Sequence, residues 1–77
     1  MTAFDSYVAY RLPYLESAFH VKPGQFRKVY IDLIVHEWAH MTTTGKVSKP
    51  MKEWWASLQF TDRMHLEEVP QPIRELP

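Results

Sequence analysis

The sequence contains no cysteine among its 77 residues. This excludes a disulfide framework and a thiolate metal site, and it fits a reducing compartment, so we expect a cytoplasmic protein. No stretch reaches the roughly 18 consecutive apolar residues of a membrane span. The first residues show no basic region followed by an apolar run, so neither a signal peptide nor membrane association is expected.

Neither sign of charge is in excess, because nine Lys or Arg side chains oppose nine Asp or Glu side chains. A protein that binds nucleic acid mainly through charge would show a basic excess. Nucleic-acid binding through Lys46, Lys49 and Lys52 is therefore the third of three functional hypotheses. Basic residues dominate residues 20–52 and acidic residues dominate after Thr61. This distribution is typical of solvated surface charge, and the alternative is a weakly basic side that meets an acidic partner.

Strand-like alternation and internal repeats are also absent. Apolar residues instead recur at helical spacing over Phe4–Phe19, Phe26–Met41 and Met51–Leu58. We therefore expect an all-α fold, a compact bundle of three or four helices, with residues 1–68 as its single domain. Residues 69–77 contain three prolines and are predicted to form an extended, flexible tail that adds little to the core.

Residues at the predicted helix ends have capping character. Thr2 begins the first helix, and Gly45 can end the second in the left-handed conformation. Ser48 is the predicted cap of the third helix, with Pro50 in its first turn. Pro13 predicts either a kink in the first helix or a break, and we favour the break because a residue before proline avoids the helical region.

The segment Phe26–Met41 is apolar nearly all round, which predicts a central helix with the others packed about it. Glu37 falls within the apolar arc of this helix. A buried unpaired charge is costly, so Glu37 should pair with a Lys or Arg from another helix.

The same segment carries His36-Glu37-Trp38-Ala39-His40, a match to His-Glu-x-x-His. Histidines four residues apart on a helix can reach one Zn²⁺, with the glutamate beside them as general base. Over these five residues the chain resembles the zinc peptidases called zincins. The resemblance implies zinc ligation by His36 and His40 and catalysis by Glu37. Candidates for the third ligand that such a site needs are Glu53, His65, Glu67 and Glu68.

Two further interpretations of the histidines need no peptidase. Asp32, His36 and His40 recur every four residues, and Asp-His-His is a reasonable zinc ligand set. Without metal, Asp32 and His36 would form a hydrogen-bonded pair on a polar strip, and His40 would pack against a neighbouring helix. We favour the second interpretation, in which the histidines bind no metal, and we expect no cofactor.

Aromatic residues make up 14% of the chain, and they either fill most of a core this small or form a patch that docks on a partner. Tyr and Trp are enriched at the centres of protein interfaces. Of the adjacent Trp54 and Trp55, one is expected at the rim of the core. The predicted partner-binding residues are Tyr7, Tyr10, Tyr14, Trp54, Trp55, Lys46, Lys49 and Lys52.

Together these features favour a non-enzymatic protein–protein interaction module that binds a larger protein. In size and style the chain looks like small phage or mobile-element proteins that bind and inhibit host machinery. RNA polymerase, and hence transcription regulation, or a defence nuclease would be typical targets of such a protein. The alternative is a zinc-dependent metallohydrolase or peptidase that uses His36, Glu37 and His40.

Overall fold

Helices account for most of the chain, and the computed structural model describes all 77 residues. Three longer helices are followed by two short ones: α1 Ala3–Ala18, α2 Arg27–Thr44, α3 Lys49–Ser57, α4 Phe60–His65 and α5 Gln71–Arg74. No strand forms, so the expectation of an all-α fold is confirmed. None of these helices combines the length and the apolar character that crossing a membrane requires.

The helix ends follow the local chemistry of the sequence. The Thr2 hydroxyl accepts a hydrogen bond from the Asp5 N–H at 3.0 Å, which satisfies one free donor at the start of α1. The Ser48 hydroxyl accepts from the Met51 N–H at 3.5 Å at the start of α3. Gly45 ends α2 with φ of 75°, a left-handed conformation that glycine adopts without strain. All three predicted caps are confirmed.

The predicted break at Pro13 is wrong, because α1 runs through it without interruption. Proline in a helix interior removes one backbone hydrogen bond and disfavours the helix by about 3 kcal/mol. Leu12 and Leu15, on either side of Pro13, are both buried in the core. Packing of these side chains offsets the local cost.

The prediction that the second helix is central is also wrong, because α1 contacts both α2 and α3 and occupies that place. α2 buries only Tyr30, Ile34 and Met41, and it leaves Val29 and Val35 exposed. The core is made of eleven buried residues, to which every helix except α4 contributes: Ala3, Tyr7, Leu12, Leu15, Tyr30, Ile34, Met41, Met51, Trp54, Trp55 and Ile73.

The C-terminal residues do not form the extended tail predicted for 69–77. Gln71–Arg74 form α5, which packs against α3, and Ile73 is completely buried. Pro72 lies in the first turn of α5, where a missing N–H costs nothing, so proline does not prevent this helix. The segment therefore belongs to the core.

Candidate interaction surface

Glu37 of the His-Glu-x-x-His sequence lies between α2 and α1 in a hydrogen-bonded ion pair. Its Oε2 accepts from Arg11 Nη2 at 2.9 Å, and its Oε1 accepts from Arg11 Nε at 3.3 Å and from the Tyr7 hydroxyl at 2.7 Å. The Arg11 and Glu37 side chains are 14% and 22% exposed, so the pair is largely withdrawn from water. The prediction that Glu37 pairs with a cation from another helix is confirmed.

The environment of the pair changes the ionisation of its neighbours. Burial, followed by the hydrogen bond to Glu37 and the charge of its carboxylate, raises the pKa of Tyr7 well above its ordinary value. Burial alone would lower the pKa of Arg11, but the hydrogen bonds and charge of Glu37 outweigh it and raise that pKa. Tyr7 therefore stays protonated and Arg11 stays charged throughout the physiological range.

The raised pKa of Tyr7 predicts a loss of stability at alkaline pH. The contribution of this hydroxyl is complete below the unfolded-state pKa near 10 and is lost as pH rises towards the higher folded-state pKa. Above pH 10 the wild-type free energy of unfolding should fall faster than that of Tyr7→Phe, by up to about 1.4 kcal/mol per pH unit. Urea unfolding of both proteins between pH 8 and 11 measures this difference in the free energy of unfolding. The other titrating groups are present in both proteins, so their contributions drop out of the comparison. Parallel curves would contradict the prediction.

Three of the predicted partner-binding aromatic residues lie in the core instead. Tyr7, Trp54 and Trp55 are all buried, so the assignment of these residues to a partner surface is wrong for this fold. The rings of Tyr7 and Trp54 lie edge to face with centroids 5.4 Å apart, and Trp38 packs on both. The Trp54 indole N–H donates to the Ser6 hydroxyl at 3.0 Å.

Neither tryptophan of the adjacent pair is at the rim, because Arg63 covers Trp55. The Arg63 guanidinium lies 4.7 Å from the centroid of the Trp55 ring and donates two hydrogen bonds to the Trp55 carbonyl oxygen. A cation stacked on the ring shields indole surface that would otherwise face water.

The two histidines of the motif both lie on the surface. His36 Nδ1 donates to the main-chain carbonyl of Asp32 at 2.7 Å, so the bond uses the backbone and not the Asp32 carboxylate. His40 is exposed, which contradicts its predicted packing against another helix. Nowhere does the fold bring together three or more His, Cys, Asp or Glu side chains in a group that could hold a metal ion.

Two clefts meet over the Arg11–Glu37 pair. The smaller cleft, of about 150 Å³, lies between α1 and α3 and is lined by Tyr10, Arg11, Tyr14, Lys49, Pro50 and Glu53. The larger, of about 560 Å³, lies beside α2 and is lined by Arg11, Leu33, His36, Glu37, His40, Lys46, Ser48, Pro50 and Met51. Arg11 and Pro50 line both clefts. We call the continuous surface formed by these residues the three-helix face.

The three-helix face combines apolar and basic groups. Tyr14 is exposed, and Leu33 is 39% exposed although it is a large apolar side chain. Glu53 lies 4.0 Å from Lys49 and Glu37 is bound to Arg11, so both carboxylates of the face have cationic partners. Lys46 lines the face without such a partner, and Lys52 is exposed but lines neither cleft. The face is therefore weakly basic, with Arg11 and Pro50 where its clefts meet and an apolar or aromatic side chain exposed in each cleft.

Several residues of the face were missed by sequence reasoning. Arg11 was not singled out, although its position four residues after Tyr7 places both on one side of α1. Leu33 lies in the broad apolar arc of Phe26–Met41, and a helical wheel cannot show which part of such an arc is covered. Pro50 was noted only as a helix-start residue. The His-Glu-x-x-His motif indicates where on α2 the face lies. Which other residues belong to the face depends on how α1 and α3 pack against α2.

The chain was compared with protein-family models, with curated proteins and with solved structures, and no match was found in any of the three comparisons.

Proposed function

We propose that this protein is a small interaction module that docks on a larger protein through the three-helix face. The observation that carries the proposal is the pair of clefts joined at Arg11 and Pro50. Exposed Tyr14 and Leu33 give the face apolar anchors of the kind that dominate binding energy at interfaces. Lys46 and the histidines on its border favour a partner with an acidic rim.

The finer form of the proposal is inhibition by occupancy. The protein would act in the cytoplasm as a phage or mobile-element regulator that covers a working surface of a host protein such as RNA polymerase or a defence nuclease. The size of the chain supports this role, because a standard interface buries about 800 Å² on each partner, a substantial share of the 5367 Å² surface of this molecule.

Site-specific photo-crosslinking tests the proposal, and α2 supplies a matched control. A photoreactive residue replaces Leu33 on the three-helix face or Val35, which is 44% exposed on another side of the same helix. Crosslinking in the cell that carries the gene should give one discrete adduct from position 33 and none from position 35, and mass spectrometry identifies the partner. Equal adducts from both positions, or no adduct from position 33, would contradict the proposal.

The second candidate function is zinc-dependent hydrolysis. It is favoured by the common location of His36, Glu37 and His40 along the larger cleft. Zinc near one equivalent after dialysis, lost in His40→Ala, would support this candidate. The proposed base would first have to leave Arg11 and Tyr7, which already bind both of its oxygens.

A further inference from the structure

The turn between α1 and α2 carries a second exposed surface, which shares no residue with the three-helix face. It consists of Phe19, Lys22, Phe26, Arg27 and Lys28, and we call it the turn patch. Phe19 is 60% exposed and Phe26 is 43% exposed, and all three cations are exposed. Two aromatic rings and three cations thus occur within the ten residues 19–28 around this turn.

The five residues of the turn patch carry three positive charges and no negative charge, although the whole chain is neutral. No acidic residue occurs between Glu16 and Asp32. Glu16 is buried, and its carboxylate accepts the Gly24 N–H at 2.6 Å. The ion pairs of the molecule are Arg11–Glu37 and Lys49–Glu53, so no carboxylate pairs with a cation of the patch. The three cations are exposed and form no salt bridge, although Asp5 and Glu16 line a cleft with Arg27 and Asp32 follows Lys28 by one helical turn.

The rings of the patch are held in place by the fold. Phe19 stacks on Tyr30 with centroids 5.9 Å apart and planes 17° apart, and Phe26 meets the same ring edge-on at 6.3 Å. The Val21 N–H donates to the Glu16 carbonyl, which fixes the end of α1 next to Phe19. Both phenyl groups are therefore ordered before any ligand arrives, which reduces the entropy lost on binding.

We propose that the turn patch binds single-stranded nucleic acid, RNA or DNA, without sequence preference. Unpaired bases stack on exposed aromatic rings, and phosphates pair with nearby Lys and Arg. Phe19 already continues a stack on Tyr30, so a base on its outer side would extend that column. Phe26 supplies a second ring beside it, and Lys22, Arg27 and Lys28 neutralise the backbone.

Other anionic partners fit the turn patch less well. An acidic amphipathic helix needs a groove, whereas Phe19 and Phe26 line none of the five principal clefts of the molecule. Insertion into an anionic membrane needs large apolar side chains at the tip. Between the two rings, at residues 20–25, the one aliphatic side chain is Val21, which is half-buried against the core. Flat rings with unpaired cations are the chemistry of base stacking and phosphate contact.

Fluorescence anisotropy with labelled 12-nucleotide oligo(dT) and oligo(U) tests the proposal. Phe19→Leu and Phe26→Leu keep apolar packing on Tyr30 but remove the ring, and each should weaken binding about 5- to 100-fold. Phe60→Leu is the matched control, because Phe60 is 73% exposed in α4 and lies outside the patch. It should bind like the wild type. Thermal melting of each variant confirms that it is folded.

The salt dependence provides an independent readout. With three phosphate contacts on a single strand, the plot of log K against log salt should have a slope of about −2. Lys28→Gln should reduce the magnitude of that slope by about 0.7, while Lys46→Gln on the three-helix face should leave it unchanged. Binding of either oligonucleotide with this pattern supports the proposal. No binding near 50 mM salt, equal losses in Phe60→Leu, or binding to phosphatidylserine vesicles in place of oligonucleotides would overturn it.

Discussion

Replacement of Ile73 by alanine is expected to lower the free energy of unfolding by about 2–5 kcal/mol. The side chain is completely buried, and its removal leaves a cavity between α5 and the core. In a domain of this size each kcal/mol lowers the melting temperature by about 4–8 °C. Deletion of residues 69–77 removes the same contact together with the partly buried Val69 and Leu76, and should cost at least as much.

Thermal melting followed by circular dichroism measures this effect. Glu75→Ala is the matched control, because Glu75 lies directly after α5 and is exposed. It should change the melting temperature little. If Ile73→Ala melted like Glu75→Ala, α5 would not be part of the core in solution.

The second large effect is expected for Arg11→Met, at about 2–3 kcal/mol. This variant leaves the Glu37 carboxylate largely withdrawn from water with only Tyr7 to bind it, and an uncompensated charge of that kind is strongly destabilising. The residual exposure of the pair places the expected cost below that of a fully buried charge. Replacing both partners, as Arg11→Met with Glu37→Gln, should recover much of the loss, since no charge is left uncompensated and the Tyr7 hydroxyl keeps an acceptor.

The exposed pair Lys49–Glu53 is the matched control for this experiment. Both side chains are largely in water, 4.0 Å apart, so Lys49→Met should change stability by less than about 0.5 kcal/mol. Urea unfolding of the single and double variants gives the coupling energy directly. Equal small effects for Arg11→Met and Lys49→Met would show that the Arg11–Glu37 pair does not hold α1 to α2.

Local chemistry could be predicted from the sequence because it depends on neighbouring residues. The caps at Thr2, Gly45 and Ser48 need only the residue and the chain next to it. The pairing of Glu37 followed from its place in an apolar arc, since a buried carboxylate has few alternatives. Its partner Arg11 could not be named, because that depends on how α1 packs across α2.

Tertiary packing explains where prediction from the sequence failed. Pro13 disfavours a helix locally, but burial of Leu12 and Leu15 on either side of it outweighs that cost. The sequence makes Trp55 a candidate for the surface, and only the fold shows that Arg63, eight residues later, covers its ring. Ile73 is one apolar residue among prolines, and only the position of α5 against α3 shows that it is core.

The central claim is that Glu37 of the His-Glu-x-x-His sequence stabilises the fold through its hydrogen bonds with Arg11 and Tyr7. Melting curves of Glu37→Gln and the wild type, each with zinc and with EDTA, test this claim most directly. The account predicts that Glu37→Gln costs about 1–3 kcal/mol, or roughly 4–24 °C, and that zinc shifts neither curve. An unchanged melting temperature for Glu37→Gln, together with a wild-type curve that zinc raises and EDTA lowers, would contradict it.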